Sequence, residues 1–295
     1  MYGIIDIGSN TIRLVLYIVR DGKILPMLNK KFTAGLAGYI KKGHMSDKGK
    51  EKLIEVLLEF RHILTHIQTA ELFCIATAPL RNIDNTEEIC AAVLERTGFS
   101  ITVLSGEEEA LYDYYGAMQS VQEPSGLVID IGGGSTEFVF YTENSVKSVY
   151  SLPIGSLTAY TTYVKTILPS KKEEKMIAEA IREAAADLPK ERPEVICGVG
   201  GSIRAAVKIY NELFEDTLPA GRVDLKKLQT LLKIPQDTLA KAILKISPER
   251  IHTFIPGLIL LCTIAEMWDI TKISVSASGV KEGYLAARLQ ERGVL

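Results

Sequence analysis

Two segments of the sequence place an aspartate, glycines and hydroxyl side chains in the same order. Residues 6–11 read DIGSNT and residues 130–136 read DIGGGST, and an apolar run precedes each of them. A glycine-rich turn between two strands can direct consecutive backbone N–H groups at a phosphate. Neither segment has the lysine of a Walker loop or leads into a helix, which argues against P-loop and Rossmann binding. An ordinary hairpin turn is the alternative, and the repetition makes phosphate binding the favoured interpretation.

A third glycine-rich turn extends the predicted phosphate-binding set. Residues 198–202 read GVGGS and run from a strand into a helix, whose N-terminus favours an anion. On its own this motif is weak, and it gains meaning only beside the other two. The predicted set is Gly8, Ser9, Asn10, Thr11, Arg13, Gly132, Gly133, Gly134, Ser135, Thr136, Gly200, Gly201 and Ser202.

Asp6 and Asp130 occupy equivalent places in the two repeated segments, each two residues before a glycine. Both are expected at the end of a strand, where a carboxylate can hold Mg²⁺ directly or through water. The repeat therefore predicts a magnesium ligand beside each of the first two turns.

Three consecutive acids, residues 107–109, begin a predicted helix, where acids usually interact favourably with the helix dipole. Ser105 and Glu108 have the spacing of a capping box, in which the Glu108 side chain reaches back to the first backbone amide. Glu109 lies about 100° further round the helix and is not needed for the cap. It is therefore a candidate general base that orients a water molecule.

Two arginines are candidates for binding an anion. Arg81 is expected just beyond the end of a strand at residues 72–76, and Arg13 lies two residues past the first turn. A guanidinium at such a place suits bidentate binding of phosphate. A solvated surface arginine is the alternative for both.

Composition excludes several classes of protein. Among 295 residues, 34 Lys and Arg oppose 36 Asp and Glu, so no basic coat for nucleic acid or an anionic membrane is expected. The four cysteines lack C-x-x-C spacing, which argues against a zinc site and a secreted disulfide scaffold. His62 and His66 lack a third metal ligand and are expected on a solvated face. No signal-peptide pattern or apolar run of membrane length is present, so a soluble, cytoplasmic protein is expected.

The repeated segments also predict the domain organisation. Residues 3–17 and 126–141 each read as a strand, a short turn and a second strand, which predicts two related domains, 1–123 and 124–295. Around them helices and strands alternate. Helices are predicted from Asp47 through Ile67 and over 86–96, 171–188, 202–213, 224–232, 236–245, 254–268 and 280–292, and further strands over 72–76, 101–104, 195–199 and 273–276.

The collected segments resemble the Ppx/GppA phosphatases, the exopolyphosphatases and guanosine pentaphosphate phosphohydrolases. The matching segments are DIGSNTIRL (6–14), ATAPLRNIDN (76–85), SGEEEALYDYYGA (105–117), DIGGGSTE (130–137), LPIGSLT (152–158), GVGGSIRA (198–205) and SASGVKEGYL (276–285). The resemblance implies an α/β fold of two actin-like, ribonuclease H-like domains of the ASKHA superfamily with a cleft between them. Larger members carry an additional helical C-terminal region, so the short, two-domain form is expected.

The resemblance also implies roles for individual residues. Glu109 matches the catalytic base, Arg81 matches an arginine that contacts phosphate, and Glu137 joins Asp130 in binding metal and the attacking water. The predicted catalytic residues are thus Glu109, Arg81 and Glu137, and the predicted Mg²⁺ ligands are Asp6, Asp130 and Glu137. Pro79 stands where the family usually has a small or hydroxylated residue, so it could change the position of Arg81.

The expected activity is removal of a terminal phosphate from inorganic polyphosphate. Two alternatives are hydrolysis of the 5′-phosphate of guanosine pentaphosphate and a module that binds polyphosphate or a nucleotide without catalysis. The expected partners are inorganic polyphosphate or guanosine polyphosphate and a second copy of the chain in a homodimer, with neither nucleic acid nor membrane involved.

Overall fold

The computed structural model describes residues 1–119, 121, 123–190, 192–193, 195–214, 218 and 222–295. Contacts divide the chain into two compact units, one of Met1–Glu109 with Tyr284–Leu295 and one of Ala110–Gly283. The chain changes unit inside two helices, Gly106–Ala117 and Val280–Glu291, in each after the fourth residue, and the boundary between residues 123 and 124 stays a prediction. Gln122, next to the predicted boundary, lies outside the described residues.

Every residue of the first unit is described, and its main sheet has five strands. The strands of this unit are β1 (Tyr2–Ile7), β2 (Thr11–Arg20), β3 (Lys23–Thr33), β4 (Ile40–Lys41), β5 (His44–Met45), β6 (Glu71–Ala76) and β7 (Ile101–Val103). The sheet order is β3-β2-β1-β6-β7, and β4 pairs with β5 separately. The first three strands are antiparallel neighbours, whereas β6 and β7 run parallel to β1.

The first unit contains the predicted helices and one short helix, Ala78–Arg81, where a loop was predicted. They are α1 (Asp47–Leu64), α2 (Ala78–Arg81), α3 (Thr86–Thr97) and α4 (Gly106–Ala117), with a 3₁₀ turn at Leu36–Tyr39; α4 continues into the second unit. In α1 the predicted apolar positions Leu53, Ile54 and Leu57 are buried in the core, but the helix ends before Ile67. Gly98 ends α3 in the left-handed conformation, which glycine adopts without strain.

The described part of the second unit repeats the sheet of the first and adds one strand. Its strands are β8 (Gly126–Ile131), β9 (Thr136–Thr142), β10 (Ser145–Leu152), β11 (Ile196–Val199), β12 (Arg222–Asp224) and β13 (Lys272–Val275). Their order is β10-β9-β8-β11-β13-β12. The first five correspond in order and direction to the five strands of the first unit, so the repeat predicted from the sequence is confirmed.

Helices surround this second sheet. They are α5 (Ser156–Tyr163), α6 (Lys171–Ala184), α7 (Gly200–Phe214), α8 (Leu225–Thr230), α9 (Gln236–Ile246) and α10 (Phe254–Met267), with 3₁₀ turns at Leu231–Lys233 and Pro248–Arg250. The last helix, α11 (Val280–Glu291), begins in this unit and continues into the first unit after Gly283. The apolar helix α10 is buried along most of its length and contacts α5, α6 and α7. Helix α6 ends four residues before the predicted end, and α7 begins two residues before the predicted start.

Three of the four cysteines lie in the hydrophobic cores, and Cys90 packs against one of them. Cys74, Cys197 and Cys262 are buried, Cys90 is half-buried, and all four are free thiols. Burial raises the pKa of Cys197 and of Cys262 to about 12 and raises that of Cys74 further, so these thiols stay protonated. Within the described part of the chain, no helix is long and apolar enough to cross a membrane.

Candidate active site

The first glycine-rich turn joins β1 to β2 in the first unit. The Gly8 N–H donates to the Thr11 carbonyl at 3.0 Å, which closes the turn. The Ser9 carbonyl accepts from the Ala37 amide at 3.0 Å, and the Asn10 carbonyl accepts from the amides of Ala34 and Gly35 at 3.0 and 2.9 Å. The segment that follows β3 therefore holds the carbonyl side of this turn.

The second turn joins β8 to β9 and has the same closure. The Gly132 N–H donates to the Ser135 carbonyl at 3.0 Å, as Gly8 does to Thr11 in the first turn. The Thr136 side chain is fully buried and donates to the Ile154 carbonyl at 2.6 Å. Its only hydroxyl proton is used in that bond, so Thr136 supports the turn through its side chain.

Each unit has one predicted metal-binding aspartate in its first hairpin, and the residue paired with it on the next strand differs between the units. In the first unit Asp6 lies directly opposite Arg13, and in the second unit Asp130 lies directly opposite Glu137. Residues directly opposite on antiparallel strands project from the same face of the sheet, and opposite charges there are favourable while like charges are not. The second hairpin therefore concentrates two carboxylates where the first has a carboxylate and a guanidinium.

The two carboxylates of the second hairpin differ in burial. Glu137 is 1% exposed, and its Oε1 accepts a hydrogen bond from the Ser151 hydroxyl at 3.0 Å. Asp130 is half-buried, and a Cβ atom at Gly200 would overlap its Oδ1. Gly200 also has a φ of +83°, so glycine is required there by space and by backbone conformation.

Two adjacent carboxylates are the type of donor that Mg²⁺ prefers, and a cation between them would offset their repulsion. The donor chemistry of Asp130 and Glu137 therefore fits a divalent metal. Asp6 belongs to the other unit. Among the described residues, no group of three or more His, Cys, Asp or Glu has the arrangement of a metal site. His62 and His66 accordingly belong to no such group.

Arg81 and Glu109 are brought together within the first unit. Arg81 Nη1 donates to Glu109 Oε2 at 2.8 Å and to the Leu104 carbonyl at 3.1 Å. Both side chains are mostly buried, with 16% of Arg81 and 10% of Glu109 exposed. Pro79 lies in the first turn of α2, where proline fits a helix, and Arg81 is the last residue of that short helix.

The predicted capping box at the start of α4 is confirmed. The Ser105 N–H donates to Glu108 Oε2 at 2.8 Å, and the Glu108 N–H donates to Ser105 Oγ at 3.1 Å. Glu108 is exposed, whereas Glu109 is buried and its carboxylate contacts Arg81. Neighbouring acids on α4 therefore have different tasks, as the helix geometry predicted.

The third turn forms the beginning of α7. The Ser202 hydroxyl donates to the Ile131 carbonyl at 3.0 Å, so this predicted phosphate ligand supports the end of β8. The guanidinium of Arg250 lies against Gly201, where a Cβ atom would overlap it. Arg250 therefore places a cation at the start of α7, next to Ser202, and no role was predicted for it from the sequence.

The predicted site residues are divided between the units. The first unit contains Asp6, Gly8, Ser9, Asn10, Thr11, Arg13, Arg81 and Glu109, and the second contains Asp130, Gly132, Gly133, Gly134, Ser135, Thr136, Glu137, Gly200, Gly201 and Ser202. In the first unit Arg13 donates to the Asn29 side chain at 3.3 Å. Ser151, Gly155 and Ser156 have no role predicted from the sequence. Gly155 and Ser156 lie in the segment LPIGSLT (152–158). A glycine and a serine at the start of a helix could have indicated a close approach to another part of the backbone.

Comparison with known proteins identifies the family and the fold. The model of the Ppx/GppA phosphatase family matches residues 15–292. The chain resembles the crystal structure of the Aquifex aeolicus member of that family, with 25% identity, a TM-score of 0.81, and coverage of 99% of this chain and 98% of the other. It also resembles an exopolyphosphatase from Cytophaga hutchinsonii, with 22% identity, a TM-score of 0.87, and coverage of 100% and 98%.

An α/β fold of two units with related sheets, matched over most of its length by the model of a phosphatase family, defines a phosphatase. The chain belongs to the Ppx/GppA phosphatase family. The predicted family, the α/β fold class and the enzyme class are thereby confirmed.

Proposed function

We propose that the protein is an exopolyphosphatase that hydrolyses the terminal phosphoanhydride bond of inorganic polyphosphate. The observation that carries the proposal is the Arg81–Glu109 pair, which places a predicted base and a predicted phosphate ligand 2.8 Å apart. A general base must be within hydrogen-bond reach of the water it activates, and an arginine stabilises charge on a transferring phosphoryl group. The pair therefore supplies both functions at one point of the first unit.

Glu109 is the base in this proposal. Its carboxylate accepts a proton from water while the water oxygen bonds to the terminal phosphorus, and the bridging P–O bond breaks. The products are orthophosphate and a polyphosphate shorter by one unit, and the bridging electrons remain on the shortened chain. Phosphoryl transfer requires positioning and charge neutralisation more than covalent chemistry, so Arg81 and the turn amides carry much of the catalysis.

Asp130 and Glu137 are the residues that would hold Mg²⁺. A divalent cation on phosphate oxygens neutralises charge and orients the phosphate for displacement. Ser151 and Gly200 assist these carboxylates from within the second unit, since Ser151 hydrogen-bonds to Glu137 and Gly200 leaves room for Asp130. Asp6, which belongs to the first unit, stays a ligand predicted from the repeat alone and is not part of this proposed pair.

A substrate panel tests the proposal. Purified protein with Mg²⁺ is offered short polyphosphate, long polyphosphate and guanosine pentaphosphate in separate reactions, and released orthophosphate is measured. Turnover of polyphosphate at higher kcat/KM than the nucleotide supports the exopolyphosphatase. Preference for guanosine pentaphosphate would assign the nucleotide phosphohydrolase, and no release from any substrate would favour a binding module.

The remaining expectations about partners stay predictions. A homodimer is tested by light scattering of the purified protein at several concentrations. Binding of duplex DNA and of anionic vesicles at physiological salt tests whether nucleic acid or membrane takes part, and neither is expected.

A further inference from the structure

The second glycine-rich turn is held by two helices that approach it from its carbonyl side. The carbonyls of Ile131, Gly132 and Gly133 follow one another along the chain, and each accepts a hydrogen bond from the start of a helix. Ser202 at the start of α7 binds the first carbonyl, and the start of α5 binds the other two. This turn is therefore held by residues far along the chain as well as by its own hydrogen bond from Gly132 to Ser135.

Helix α5 makes most of these contacts. The backbone N–H and the hydroxyl of Ser156 both donate to the Gly132 carbonyl, at 2.9 and 3.0 Å. The amides of Leu157 and Thr158 donate to the Gly133 carbonyl at 2.8 and 3.0 Å. The first amides of a helix have no partner within the helix, so they are available to bind carbonyl oxygens elsewhere.

These bonds determine where the amides of the turn point. In a planar trans peptide the C=O and the following N–H point in opposite directions, and the described backbone has no cis peptide bond. The Gly132 carbonyl points to α5, so the Gly133 N–H points away from it. The Gly134 N–H points away from α5 for the same reason. Helix α5 therefore aims two consecutive amide donors to the opposite side of the turn.

Gly155 allows the helix to come this close. A Cβ atom at this position would lie 2.6 Å from the Gly133 carbonyl carbon and 2.7 Å from the Ser135 nitrogen. The backbone of Gly155 has φ −130° and ψ 179°, which any residue adopts. Space, and not backbone conformation, is thus the reason for glycine. The Gly155 N–H donates to Thr158 Oγ1 at 2.8 Å, which keeps the start of the helix in place.

We propose that Gly155 and Ser156 are positioning residues that direct the Gly133 and Gly134 amides at the substrate's terminal phosphate. The inference rests on the proposed function, since it takes the second turn as a phosphate-binding element. It assigns to the start of α5 a role that acts only through the turn. Neither residue needs to touch the substrate.

The test compares Gly155→Ala with Gly126→Ala, a matched control at the other end of β8. A Cβ atom at Gly126 would lie 2.7 Å from Val195 atoms and 2.9 Å from the Tyr141 hydroxyl, so both variants crowd the same unit. Loss of one hydrogen bond to a charged group corresponds to about tenfold in affinity or more. Gly155→Ala is therefore expected to raise KM for short polyphosphate by about tenfold or more, with a smaller change in kcat. Gly126→Ala is expected to lower stability and leave KM at the wild-type value.

A KM for Gly155→Ala within about twofold of wild type, or an equal rise in Gly126→Ala, would overturn the proposal. If Gly155→Ala does not fold, Ser156→Ala removes only the hydroxyl donor to Gly132, and exposed Ser145→Ala serves as its control. Ser156→Ala is then expected to raise KM by a smaller factor than Gly155→Ala, again with less change in kcat, and Ser145→Ala to leave KM unchanged.

Amide NMR spectra separate this inference from the proposed function. Inorganic phosphate is titrated into ¹⁵N-labelled wild type and Gly155→Ala, and the Gly133 and Gly134 resonances are followed. Shifts in wild type that are lost in Gly155→Ala support the inference, even if wild type releases no phosphate and the proposed hydrolysis fails. If the two resonances do not respond to phosphate in wild type, the inference is wrong, whatever the activity.

Discussion

Arg81 and Glu109 form a mostly buried ion pair of 2.8 Å across 28 positions of sequence. The guanidinium comes from the end of α2 and the carboxylate from the first turn of α4. Arg81 also donates to the Leu104 carbonyl, so the segment between β7 and α4 fixes its position as well as the acid does. An arginine and a carboxylate held in this way orient each other before any substrate is present.

Glu109→Gln is expected to remove most turnover, because glutamine cannot accept the proton of the attacking water. Losing a general base typically lowers the rate by about 10²–10⁴-fold. The measurement is kcat for orthophosphate release, with thermal unfolding to show that the variant folds. Glu108→Gln is the matched control, because glutamine also completes a capping box and that side chain is exposed. Equal kcat in both variants would exclude Glu109 as the base.

Arg81→Lys is expected to lower kcat/KM by about 10²-fold, since one ammonium cannot reproduce the two directed bonds of the guanidinium. Arg81 and Glu109 are in direct contact, so their substitutions are expected to be non-additive. The double variant Arg81→Lys/Glu109→Gln should therefore lose less than the product of the two single losses. Strict additivity of the measured free energies of activation would show that the pair does not act as a unit.

Ser151→Ala is expected to raise the Mg²⁺ concentration for half-maximal activity by about 10–100-fold, the usual effect of losing a partner of a metal ligand. The physical reason is the 3.0 Å hydrogen bond that orients Glu137. Asp130→Asn should have at least as large an effect, and chelation by EDTA should stop turnover. Calorimetric binding of Mg²⁺ provides a second readout. Glu143→Gln, on the exposed β9–β10 turn, is the control that should bind like wild type.

Gly116→Ala is expected to destabilise the protein by about 1–3 kcal/mol through overpacking. A Cβ atom there would overlap the Gly279 carbonyl oxygen and lie 2.9 Å from its carbon, so α4 and the start of α11 would have to separate. The intrinsic helix preference of alanine over glycine, about 1 kcal/mol, acts in the opposite direction and is the smaller effect. Urea unfolding measures the change. Gly38→Ala, where a Cβ atom meets open space, should not destabilise.

Stability is expected to fall as the pH rises above 9. The pKa of Cys262 is raised from 9.0 to about 12 by burial, so the unfolded chain releases this proton first. Between these two values the folded state binds more protons than the unfolded state, and each such thiol lowers the free energy of unfolding by up to roughly 1.4 kcal/mol per pH unit. Below pH 9 the contribution is complete. Urea unfolding at pH 8, 9 and 10 should show a shallower decline for Cys262→Ala, and parallel curves would contradict the burial argument.

Much of the local structure followed from the sequence because near neighbours determine it. The Ser105–Glu108 cap, the stop of α3 at Gly98 and the two repeated hairpins depend on residues only a few positions apart. The ends of helices were predicted less accurately. Helix α6, for example, ends at Ala184, but its apolar pattern continues to the predicted end at residue 188. An apolar residue packs against a core in a helix and in the loop that follows it, so the pattern does not mark the end.

The tertiary structure alone decided which unit each helix joins and what holds the turns. Apolar periodicity shows that α11 has a buried face, but it does not show which core that face meets, and the chain in fact changes unit within it. Likewise, the glycines of the second turn permit amides to face a phosphate, whereas α5 decides their direction through bonds to Gly132 and Gly133. Local chemistry made the glycine-rich turns recognisable in the sequence. The contacts that orient them join residues far apart, and only the folded chain brings those together.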